Sequence, residues 1–345
     1  MIIMQSFKKY IYTFPLLAAV IFNGCKNDDA TKVVEGESVK TEIADPMLQQ
    51  INDALAKDST NASAWFAKGK YYMNRKDYDQ SIAPLERATQ LDSTKKEYYL
   101  SLADACYFAN QTFGTKTALE KLVALYPEDE TGNFKLAELM FYVKHYDDAM
   151  KYASKVTKIN PENLQGYFLQ GMIQKEKGDT AQAIKFFTIC TDKNAKNYDA
   201  YMQLGILNSA KRNKIALEYF NSALKLNPNS TEAEYAIAMY YQELPDYDKA
   251  IETYTAMIQK NPNNRDALFN LGYIHQVNLN VPKQAIKHYN DLIAKFPQDY
   301  KAIYNRGVCF EKLGDINAAK LDYQKAIDIM PSYNKAREGL KRVMR

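Results

Sequence analysis

Small residues return along this chain with a period close to 34. The clearest ladder is Gly69, Ala103, Ala137, Gly171, Gly205, Ala238, Gly272 and Gly307, with steps of 34, 34, 34, 34, 33, 34 and 35. A second runs Ala149, Ala183, Ala216, Ala250, Ala285, Ala319, and an aromatic one runs Phe187, Phe220, Tyr254, Tyr289, Tyr323. Proline closes most units, at Pro127, Pro161, Pro228, Pro262, Pro297 and Pro331. Counting each unit from residue 62 and its equivalents, positions 4, 7, 8 and 11 fall on one helical face at about 100° per residue. That spacing predicts a core-facing stripe on the first helix of every unit.

A 34-residue period carrying these residue types resembles the tetratricopeptide repeat (TPR). The likeness covers residues 62–333 as eight units, the last reading YNRGVCFEKLGDINAAKLDYQKAIDIMP. It implies an all-α fold, an α-α superhelix of about eight helix-turn-helix repeats. In such a unit, small residues at positions 8 and 20 let two antiparallel helices approach, and the aromatic at position 24 fills the space left. Proline near position 32 cannot continue the second helix and sets the turn to the next unit. The two irregular spacings, SAKRNK (209–214) and QVNLNVPK (276–283), fall between the helices of a unit, where a loop is expected to absorb them. Residues 46–61 are expected to cap the stack at its start, with 47–57 (MLQQINDALAK) as a second helix lacking its first. Residues 334–345 are expected to cap its end, because each unit buries apolar surface only against its neighbours.

The first 45 residues follow a different pattern. Lys8 and Lys9 precede an apolar run at 11–22, IYTFPLLAAVIF. Twelve residues suit the apolar core of an export signal and fall short of the roughly 20 that span a bilayer. Gly24-Cys25 then resembles the end of a bacterial lipoprotein signal, and KNDD after it resembles an acidic export tag of outer-membrane lipoproteins. The resemblance implies a signal over 1–24, lipid attachment at Cys25, and a polar tether over 25–45. As a flexible coil, 20 residues reach roughly 25 Å. The other reading is an ordinary signal cut near Gly24, leaving a free thiol and a soluble periplasmic protein.

Composition changes this picture little. With 46% hydrophobic and 25% charged residues and a net charge of +4, the chain is a folded protein without a strong field for nucleic acid. Cys106, Cys190 and Cys309 have no metal or redox spacing and are expected to pack as small hydrophobes. No catalytic motif is present. His275 and His288 lie on the first and second helices of one hairpin, where they are able to meet, and two imidazoles without further ligands suit packing better than a metal. No cofactor and no metal are expected. Three Asp-Ser/Thr triplets, at 58–60, 92–94 and 179–181, resemble a bacterial O-glycosylation acceptor; the alternative is that they serve as turns and caps.

Candidate chemistry is therefore confined to a surface. In TPR proteins, positions 5 and 9 of the first helices resemble the lining of a concave groove. In units 4 to 8 they read Phe168, Met172, Met202, Ile206, Tyr235, Met239, Phe269, Tyr273, Tyr304 and Val308. A continuous apolar strip of this kind marks an interaction surface, unless tight winding buries it. The expectation is a non-catalytic scaffold at the bacterial cell envelope, on the outer membrane, binding a protein or peptide segment in that strip. The rivals are a self-associating structural scaffold, and an accessory subunit that positions substrate for a separate enzyme.

Overall fold

In the computed structural model the described residues are 45–345. The apolar run, Cys25 and the tether up to residue 44 lie outside them. The described residues form eighteen α-helices and no strand. The capping helix α1 (Pro46–Lys57) precedes eight helical hairpins. These are α2 (Ala62–Asn74) with α3 (Tyr78–Leu91), α4 (Lys96–Phe108) with α5 (Thr112–Leu125), α6 (Glu130–Tyr142) with α7 (Tyr146–Ile159), and α8 (Leu164–Glu176) with α9 (Thr180–Lys193). The second four are α10 (Tyr198–Ser209) with α11 (Ile215–Leu226), α12 (Thr231–Glu243) with α13 (Tyr247–Lys260), α14 (Arg265–Tyr273) with α15 (Pro282–Lys295), and α16 (Tyr300–Lys312) with α17 (Ile316–Ile329). The closing cap is α18 (Asn334–Val343). Each helix packs mainly on its chain neighbours, and successive first helices also touch, as α6 touches α8.

The ends of the helices follow from side chains. Asn61, Asp129, Asn163, Asn197, Ser230, Asn264 and Asp299 cap first helices by accepting from backbone amides three residues on. The Asp-Ser/Thr triplets act as turns and caps: Asp58 accepts from the Thr60 amide at 2.8 Å, Asp92 from Thr94 at 2.9 Å, and Asp179 caps α9. Each ladder proline stands two residues after the last residue of a second helix, just past its C-cap, where the chain has left the helical conformation. Within the hairpins, the turn residue lies in the left-handed region: Lys76 (φ 62), Asn110 (φ 58), Lys144 (φ 63), Arg212 (φ 54) and Asn280 (φ 55), with glycine only at Gly178 and Gly314.

The core is the set of ladders. Phe187, Phe220, Tyr254, Tyr289 and Tyr323 are at most 1% exposed, and in units 4, 5, 7 and 8 the ring lies against the glycine at position 8 of the same unit. In units 6 to 8 the tyrosine hydroxyl also finds a partner at position 12 of the first helix. Tyr254 donates to Gln242 (3.3 Å), Tyr289 to Gln276 (2.6 Å), and Tyr323 to Glu311. The 276–283 irregularity is handled differently from expectation. The first helix of unit 7 ends in a π-helical turn, Ile274–Asn278, so the helix itself takes up part of the extra length before the loop begins. Cys106, Cys190 and Cys309 are buried free thiols, pushed up to about 11, 12 and 11 by burial.

Candidate partner-binding surface

The ten strip residues do not form an open face. Met172, Met202 and Met239 are 5%, 2% and 5% exposed and belong to the packed interior. Phe168, Ile206, Tyr235, Phe269, Tyr273, Tyr304 and Val308 are half-buried. The reason lies in ring size. The position-5 aromatic leans onto the position-24 ring of its own hairpin: Phe168 on Phe187 (5.3 Å between centroids), Tyr235 on Tyr254 (5.9 Å), Phe269 on Tyr289 (6.1 Å) and Tyr304 on Tyr323 (5.7 Å). Asn270 donates to the Tyr235 hydroxyl at 3.0 Å and ties two first helices together. What the strip offers a partner is a row of ring edges and aliphatic tips, with the methionines withdrawn.

Full exposure of aromatic rings occurs elsewhere. The exposed aromatic side chains among the described residues are Tyr107 (48%), Phe108 (54%), Phe113 (83%) and Tyr142 (76%), all in units 2 and 3. Phe108 and Tyr142 occupy the same position, the last of the first helix, where units 1, 4, 6 and 8 carry Asn74, Glu176, Glu243 and Lys312. Tyr78 of unit 1 stacks on Phe108 (4.9 Å), and Tyr107 meets Phe108 edge to face (5.5 Å). Phe113 lies in the first turn of the second helix, just across the turn. The sequence templates overlooked these residues because they weigh positions 5 and 9. The available signal was an aromatic at position 13, where four of the six other units are polar.

The same units carry the polar part of the surface. On α6, Lys135 reaches back to Asp104 of α4 at 2.6 Å. Glu138, one turn further along α6, is half-buried, and its carboxylate makes no hydrogen bond or ion pair with a described residue. Burial pushes that carboxyl above its ordinary value, and Lys135 only partly opposes the effect. On α8, Lys175 donates to Gln203 at 2.7 Å, and burial lowers its ammonium. His275 and His288 stack at 4.9 Å as the hairpin implies. Among the described residues, no group of three or more His, Cys, Asp or Glu side chains is arranged to hold a metal ion.

Repeated hairpins, capped ends and a side-chain surface in place of a cleft define a repeat scaffold. Family models for the tetratricopeptide repeat match residues 62–95, 165–197, 235–278, 266–299 and 300–333, and the chain is a TPR protein. A TPR repeat-containing protein of Methanocaldococcus jannaschii is 25% identical over 59% of this chain and 43% of its own. The formate-dependent nitrite reductase complex subunit NrfG of Escherichia coli O157:H7 is 28% identical over 33% of this chain and 59% of its own. The chain thus spans about half the length of these relatives. A TPR protein of Parabacteroides merdae superposes with a TM-score of 0.54 at 15% identity, covering 72% of this chain and 99% of that one. This last likeness is one of fold.

Proposed function

We propose that this chain is a non-catalytic scaffold of the bacterial cell envelope, carried on the outer membrane by a lipid on Cys25, that holds a segment of a protein partner. The observation that carries the binding reading is that the four exposed aromatic rings among the described residues are confined to units 2 and 3. Tyr and Phe give large contact area for little lost side-chain freedom, and exposed clusters of them are characteristic of docking surfaces. The half-buried edges of Phe168, Tyr235, Phe269, Tyr273 and Tyr304 extend that surface along the later units. Preformed helices lose little ordering entropy when a segment docks on them.

The test compares capture from detergent-solubilised envelope by the full chain and by a variant with Phe108, Phe113 and Tyr142 changed to Ala. A protein retained by the first and lost by the second, with equal helicity in both, supports the reading. Equal capture moves the binding surface off units 2 and 3. Incorporation of a labelled fatty acid, abolished by Cys25→Ser, tests the anchor separately.

A further inference from the structure

We propose that Glu138 is the recognition point for a cationic side chain, so that the partner segment carries a lysine or arginine where it crosses unit 3. The inference rests on the partner-binding reading above and specifies its chemistry.

The register between first helices supplies the argument. Asp104 and Glu138 hold the same position, 9, in units 2 and 3. Asp104 is satisfied by Lys135, which stands at position 6 of the next unit, at 2.6 Å. The residue at position 6 of unit 4, which would do the same for Glu138, is Leu169, 7% exposed. Lys135 itself is already committed to Asp104. Lys175, at position 12 of unit 4, is held by Gln203. Glu138 is therefore a half-buried carboxylate whose cross-helix partner has been replaced by an apolar side chain.

Its surroundings match an incoming cation. Phe134 and Tyr142 lie four residues to either side on α6, a spacing that puts all three on one helix face. Phe168 holds on α8 the position that Phe134 holds on α6, and Tyr142 is 76% exposed. A carboxylate among aromatic faces favours an ammonium or guanidinium twice, through a charge-assisted hydrogen bond and through the rings. An acidic segment would meet repulsion there, and a neutral one would leave the desolvated carboxylate unpaired. A lysine or arginine stem also suits the ring edges it must pass.

The experiment is selection of a displayed random-peptide library against the full chain and against Glu138→Gln, with thermal melting to show that both are folded. The expected result is a peptide family with one fixed basic position, enriched by the wild type and lost with Glu138→Gln. In a synthetic peptide of that family, replacing the basic residue by norleucine should weaken binding to the wild type by about tenfold or more. The same replacement should leave binding to Glu138→Gln unchanged, so that the two changes are coupled. Peptides enriched without a basic position, or bound equally by both proteins, overturn cation recognition and leave the docking surface standing. If the wild type enriches nothing beyond the Phe108→Ala, Phe113→Ala, Tyr142→Ala variant, the docking reading falls too.

Discussion

Gly171 and Phe187 are in contact across their hairpin so closely that a Cβ on Gly171 would stand 2.7 Å from the ring's Cε1 and 2.9 Å from Cδ1 and Cζ. Phe187 is fully buried, and Phe168 packs against its ring, so the ring has nowhere to retreat. Gly171→Ala gains up to about 1 kcal/mol of helix propensity, against an overpacking cost of about 1–3 kcal/mol. A net loss of about 1–2 kcal/mol is expected, read as a lower denaturation midpoint. Gly307→Ala is the milder counterpart, because its nearest ring atom lies at 3.0 Å.

The hydroxyl of Tyr289 contributes separately from its ring. It donates to Gln276 at 2.6 Å, and both residues are buried. Tyr289→Phe keeps the packing, as Phe187 and Phe220 do in units 4 and 5, but leaves the Gln276 carbonyl unsatisfied. A loss of about 1–2 kcal/mol is expected. Adding Gln276→Leu should recover part of it in a double-mutant cycle.

Arg306 grips Asp322 through two hydrogen bonds, 2.8 and 2.6 Å, and also donates to Asn290 at 2.7 Å. Asp322 is 4% exposed, so Arg306→Ala strands a carboxylate inside the last hairpin. The partly solvated guanidinium places the expected loss near the lower end of the buried-pair range, about 3 kcal/mol. Urea unfolding of Arg306→Ala beside Arg306→Leu with Asp322→Leu checks it: the double variant should be the more stable of the two.

Glu138 gives a pH dependence of defined sign. Its folded carboxyl titrates above the ordinary value of 4.5 because burial disfavours the anion. Its favourable contribution is complete below about pH 4.5 and is lost as pH rises through the folded value. Relative to wild type, Glu138→Gln should therefore gain stability between pH 4.5 and 7 and show no such gain at pH 4. Thermal melts of both proteins across that range decide it, and a gain that grows as pH falls would contradict the sign.

Much of this architecture can be read in advance, because steric demands repeat. A glycine or alanine every 34 residues has few uses other than close helix approach, and a proline at a constant offset marks each exit. The position-24 tyrosines are equally visible as core, but their hydroxyl latches to Gln242, Gln276 and Glu311 are not, since position 12 varies freely in the other units. The strip of units 4 to 8 illustrates the limit of a helical wheel. A wheel assigns Phe168 an angle, whereas its burial depends on the reach of Phe187 from the second helix. Glu138 was likewise visible only as one charge among others, until the register of Lys135 on Asp104 showed what was missing beside it.

The hairpin turns carry a mechanical consequence. Units 1, 2 and 3 close in succession on Lys76, Asn110 and Lys144 in the left-handed region, where a residue with a side chain is less stable than glycine by about 1–2 kcal/mol. Units 5 and 7 carry the same burden on Arg212 and Asn280, whereas units 4 and 8 close on Gly178 and Gly314 without it. The strain is therefore spread along the stack and is not gathered at the units bearing the exposed rings. In a one-dimensional array a yielding hairpin disturbs only its two neighbours, so strain held at any one of these turns stays local and the rest of the stack keeps its register.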